Sequence, residues 1–142
     1  ITAFKEDVEK QYPRRKELFP NDPDILPEME LKVLQAPVTF AENTPTSPSF
    51  FFFFARIEAE MDQIDYDVLL VGAGAYGSFL ALHAKSKGKK GIQTGGATNT
   101  LFGILGKRWE HREHVAKHVN EAWIRPADKP KGFERVEGGT YW

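Results

Sequence analysis

One stretch constrains this chain more than any other: "YDVLLVGAGAYGSFLALHAKSKGKKGIQTGG", Tyr66 to Gly96. A short apolar run, Val68 to Val71, enters a glycine-rich turn. An amphipathic segment follows from Ala75 to Lys87, Gly88 stops it, and a second short run covers Gly91 to Thr94. Apolar strand, glycine turn and helix in that order predict a β-α-β unit, and a helical crossover of this length joins parallel strands. Gly72, Gly74 and Gly77 have the G-x-G-x-x-G spacing of a phosphate-binding turn. In such a turn the first glycine permits the sharp bend, the second lets a phosphate approach the backbone, and the third lets helix pack on strand. A dinucleotide site would also place an Asp or Glu at the end of the second strand, on the ribose hydroxyls. Gln93, Thr94, Gly95 and Gly96 occupy that place, with no acid among them. The turn therefore predicts a phosphate-bearing ligand without a dinucleotide clamp, and an oxidoreductase is disfavoured.

The rest of the chain continues the alternation of strand and helix. "KEDVEKQYPRRKELF" carries acids early and bases late, as a helix dipole favours, and Pro13 is expected to kink or split it. Leu31 to Gln35 reads as a strand. In "FFFFFARIEAEMDQI", Phe50, Phe53, Phe54, Ile57, Met61 and Ile64 fall on one helical stripe behind Ser49, a good N-cap. Phe51 and Phe52 fall off it, packed under a neighbour in one reading and forming a partner surface in another. "KRWEHREHVAKHVNEAW" reads as a helix, with Arg112 inside its apolar stripe. Residues 125–142 read as a tail laid over the surface. The fold class expected is α/β: a single Rossmann-like domain over 1–142, an open parallel sheet with helices on both faces.

Composition narrows the functional classes. With 142 residues, 41% hydrophobic and 27% charged, the chain fits one soluble globular domain, expected in the cytoplasm. The net charge of −1 argues against nucleic-acid binding by the whole surface. There are no cysteines, which excludes disulfides, thiol catalysis and cysteine-ligated zinc. No apolar run reaches the ~20 residues of a membrane span. His114 and His118 form an H-x-x-x-H pair without the Glu of a zinc-protease helix, and "DPD" and "DYD" match D-x-D in unsuitable contexts, so no metal site is assigned.

The candidate site is built on both glycine pairs. Gly95 and Gly96 follow the second strand at its carboxyl end, the edge where open α/β sheets bind ligands. Thr98 and Asn99 would add a hydroxyl and an amide, and Lys107 and Arg108 could offset phosphate charge. Trp109 could stack on a base or fill core. The binding set is Gly72, Gly74, Tyr76, Gly77, Gly95, Gly96, Thr98, Asn99, Lys107 and Arg108. No catalytic residue is assigned, since Glu110 projects to the polar side of its predicted helix.

"DVLLVGAGAYGSFLALHAKSKGKKGIQTGGATNTLFGILGKRW", together with "EKQYPRRKELFP", "ILPEMELKVLQA" and "VEGGTYW", resembles a family of bacterial proteins found with polysaccharide-assembly enzymes and related to GT-D-type glycosyltransferases. The resemblance implies a Rossmann-like domain in a sugar-transfer context, using a nucleotide or nucleotide sugar. Asn99, Leu105 and Gln93 stand where the family pattern has Gln, Lys and His. The acidic metal motif of those enzymes has no counterpart here, so either it lies in a missing N-terminal part or the chain is not catalytic alone. The alternative reading is a non-catalytic binding or assembly module, homo-oligomeric or joined to a missing part through an aromatic surface.

Overall fold

A computed structural model describes residues 1–37 and 49–142. The polar, proline-containing stretch after Pro37 lies outside the described residues up to Ser49. Among the described residues, helices α1 (Lys5–Gln11), α2 (Arg15–Leu18), α3 (Phe50–Asp62), α4 (Tyr76–Ser86), α5 (Ala97–Leu101) and α6 (Glu113–Ala116) surround two parallel strands, β1 (Val68–Val71) and β2 (Lys90–Gln93). The fold is mixed α/β with a small parallel sheet.

The β1–α4–β2 unit follows the sequence reading to within a residue or two. Val68 pairs with Lys90 and Val71 with Gln93. Gly88, at φ +76°, carries the chain out of α4, as a helix C-terminus commonly requires. α4 approaches β2 so closely that a Cβ on Gly91 would lie 2.3 Å from the Ala81 carbonyl oxygen. The tight helix–strand contact is therefore made at Gly91, whereas Gly77 faces the Gln93 side chain.

The sheet continues beyond β1 by single bridges. The Ile1 nitrogen donates to Leu70 O at 2.7 Å, and Gly72 N donates to Ile1 O at 2.8 Å. On the other side Thr2 N donates to Leu34 O and Ala36 N to Thr2 O. Thr2 thus forms parallel bridges to both Gln35 and Gly72. The expected strand over Leu31 to Gln35 reduces, among the described residues, to this one bridge, and residues 31–34 line a cavity.

Two apolar clusters form the core, the first of them on the sheet. In the first, Phe53, Ile57 and Met61 of α3 and Tyr76, Leu80 and Ala84 of α4 pack on Leu69 and Val71. Ser49 caps α3 by accepting from Phe52 N at 3.2 Å, which places the predicted stripe against the sheet. Phe51 and Phe52 are not packed under a neighbour; they are 77% and 56% exposed. The second cluster joins Val8, Leu18, Phe19, Leu26, Phe102, Ile104 and Ala122. Pro13 splits the first predicted helix, with a 3-10 turn at Tyr12–Arg14 between α1 and α2. Buried Gln11 ties α1 to the later chain, its Nε2 donating to Ala122 O at 2.9 Å.

The long helix expected after Gly106 does not form. A 3-10 turn covers Lys107–Trp109, Arg112 takes an extended conformation, and α6 spans only Glu113–Ala116. Side-chain contacts with distant segments override the weak local pattern: Glu110 pairs with Arg125, and Asn120 donates to Leu18 O. Arg112 consequently lies exposed rather than on an apolar stripe. The tail ends inward, with Trp142 buried and its Nε1 donating to Asp128 O at 2.8 Å.

Candidate functional site

β1 and β2 end side by side, so the two glycine bends sit on one rim. Thr94 N and Gly95 N both donate to Val71 O, at 3.0 and 3.3 Å. A Cβ on Gly72 would come within 2.5 Å of both Gly95 O and Thr98 Oγ1, so only glycine permits the two bends to touch. Gly74 and Gly95 have φ of +52° and +55°, and no atom lies within 4 Å of the position a side chain would take on either. Ala73, Gly74, Ala75 and Gly96 have backbone N–H groups with no acceptor among the described residues. Successive free N–H groups ahead of an eleven-residue helix form an electropositive edge suited to an anion.

The predicted side chains divide into three groups. Tyr76 is buried with its ring stacked on Phe50 at 4.3 Å, so it packs the helix and does not face the rim. Gly77 lies under Gln93, whose side chain spans to α4: Ser78 Oγ donates to Gln93 Oε1 at 2.5 Å. Gln93 thus fills the place of the absent ribose-binding acid with a neutral latch. Thr98 is also internal. Its hydroxyl donates to Gly95 O at 2.9 Å and meets the Thr94 hydroxyl at 2.5 Å, which fixes the second bend.

Asn99 differs from its neighbour. The residue is 6% exposed, and its side-chain amide, which keeps some solvent contact, has no hydrogen-bond partner among the described residues. It lies three positions after Gly96, on the same side of α5. Gly96 is bordered by Trp109 and Tyr141, whose nearest atoms lie 3.6 and 3.4 Å from a Cβ position there. This contact brings the Lys107–Trp109 turn to the second bend.

The two cations are not equivalent. Arg108 Nη2 pairs with Glu137 Oε2 at 2.5 Å, Nη1 donates to the Tyr141 hydroxyl at 3.2 Å, and the guanidinium lies 5.0 Å from the Tyr141 ring centre. Its charge is matched within the protein. Lys107 is exposed, and its ammonium has no partner among the described residues. Glu137 and Tyr141 were not legible as site residues, because nothing in "VEGGTYW" signals that the tail returns to Gly96. His118 lies elsewhere, edge-on against Phe19, whereas His114 packs edge-on against Trp109, behind the second bend.

No family model matches the chain, and no curated protein or solved structure matches it either.

Proposed function

We propose that the two glycine bends bind the phosphate of a nucleotide or nucleotide sugar, in a Rossmann-like, glycosyltransferase-like domain. The carrying observation is the set of N–H groups at Ala73, Gly74, Ala75 and Gly96 with no acceptor among the described residues, on bends where Gly74 and Gly95 leave open space. Such groups satisfy phosphate oxygens without reorganising, and in a sugar transfer they would offset the charge developing on the leaving phosphate. Lys107 supplies the mobile cation, and Trp109 and the Asn99 amide suit a base or sugar beside Gly96. The neutral Gln93 latch argues against a dinucleotide. The sugar-transfer assignment rests on the resemblance described above. Isothermal titration with UDP, UDP-glucose and NAD tests the reading. Saturable binding of the first two, weakened about tenfold or more by Lys107→Ala and less by Arg108→Ala, is the expected result. Absence of heat and of any ³¹P shift with UDP at millimolar concentration would end it.

A second reading, a binding or assembly module, is favoured by one observation: Phe51 and Phe52 stand exposed at the start of α3. Light scattering tests it, since Phe51→Ser with Phe52→Ser would convert an oligomer to a monomer. A wild-type chain that is monomeric at high concentration, with no partner lost on substitution, removes this reading.

A further inference from the structure

A cavity of about 510 Å³ runs along β1, lined by Val68, Leu69 and Leu70, and reaches from Met61 of α3 to Thr98 behind the glycine rim. Leu34 and Met61 from the first apolar cluster line it, and so do Val8, Leu31, Leu101 and Phe102 from the second. It is thus the space between the two cores, floored by the outward side chains of β1. Walls of this kind gain nothing from water, and left without an occupant they forfeit dispersion contacts on every side. The volume falls in the range of small-molecule sites, which are predominantly apolar with few polar groups.

Polarity is graded along the cavity. Val8, Leu101 and Phe102 lie at one end, together with Thr98, whose hydroxyl is already engaged by Gly95 O. Asp65 and Asp67 in the lining precede the start of β1, and Lys32, which donates to Asp65 O and contacts Glu30, brings that pair beside them. Ile25, Met29 and Val68 along the lining are 37%, 37% and 45% exposed, so part of its apolar surface reaches solvent. The charges at that end are mostly matched. Lys32 Nζ contacts Glu30 Oε1 and donates to Asp65 O, both at 3.0 Å, and Lys89 pairs with the Asp65 carboxylate at 3.2 Å. Asp67 has no ion-pair partner among the described residues. The mouth therefore carries one surplus negative charge.

We propose that this cavity binds a small amphiphile, its alkyl body between the two cores and an uncharged or cationic head at the Glu30–Asp67 mouth. An anionic head would meet Asp67 and compete with Glu30 for a lysine already taken. The inference does not depend on the phosphate rim: the two share only Thr98, whose hydroxyl is engaged within the protein, and they would take different chemistries.

Displacement of N-phenyl-1-naphthylamine fluorescence tests it, using decan-1-ol, decylamine and decanoate below their micelle concentrations. The alcohol and amine should compete saturably, at least tenfold better than decanoate. Leu70→Trp and Leu101→Trp, each filling the space, should weaken them at least tenfold while UDP titration is unchanged. Asp67→Lys should reverse the preference toward decanoate. If a filled variant does not fold, nuclear Overhauser contacts in the wild-type chain decide: contacts from the alkyl chain to the Leu31, Leu70 and Leu101 methyls support the site. Contacts only to Phe51 and Phe52, no saturable competition, or equal competition by decanoate would each overturn the proposal.

Discussion

Gly91 shows how a single missing side chain sets a packing distance. Its position is exposed at the strand surface, yet a Cβ would meet Ala81 O at 2.3 Å and Ala81 Cα at 2.8 Å. Both contacts are backbone, so α4 itself must lift. Gly91→Ala is expected to cost about 1–3 kcal/mol, read as a lower urea midpoint; an unchanged midpoint would mean that α4 slides freely over β2. Gln11 illustrates the opposite case, a buried polar residue held at one end. Its Nε2 reaches Ala122 O, while Oε1 has no partner among the described residues. Gln11→Leu leaves Ala122 O unpaired, and the loss expected is about 1–3 kcal/mol. A variant as stable as the parent would show that the carbonyl finds another donor.

Between elements, α3 and α4 are joined by a charged clamp at one end and by aromatic rings at the other. His83 Nδ1 lies 2.7 Å from Glu58 Oε1, His83 Nε2 lies 2.8 Å from Asp62 Oδ1, and Lys87 Nζ lies 2.7 Å from Asp62 Oδ2. The Lys87 and His83 hydrogen bonds hold the Asp62 carboxyl below its ordinary value of 3.8. A carboxylate depressed on folding adds stability above its unfolded value, and that contribution disappears as pH falls through the folded one. Asp62→Asn should therefore be less stable than the parent at neutral pH, and the difference should shrink as the pH falls below 3.8. A pH-independent difference in thermal midpoint would contradict this. α3 itself was legible in the sequence, because Ser49 and a period of 3.6 act within one segment. The helix expected over residues 107–123 was not. Its side chains are committed to Arg125 and to Leu18 O, and local period carries no record of such partners.

For the molecule as a whole, the same division holds at the candidate site. The bends at Gly72–Gly74 and Gly95–Gly96 are local devices and could be read directly. Their neighbours Tyr141 and Glu137 come from the far end of the chain, and the cavity between the cores has no sequence signature. The docked tail should matter to stability: Trp142 is 3% exposed and packs edge-on against Phe4 and Phe133. Trp142→Ala is expected to cost about 3–5 kcal/mol. Calorimetry would read it as a lower unfolding temperature, and a loss below 1 kcal/mol would mean that the tail is only loosely laid down.

The position of Ile1 and Thr2, sandwiched between residues 34–36 and β1, has a consequence for the order of assembly. The Ile1–Leu70 bond joins groups 69 residues apart, whereas β1, α4 and β2 close over one short crossover. Closing the longer loop costs more chain entropy, so the β1–α4–β2 crossover unit can zip first and the Thr2 rung last. The same rung would then be the first to fray. In deuterated buffer the Thr2 and Ala36 amides should exchange well before those of β2 that face β1.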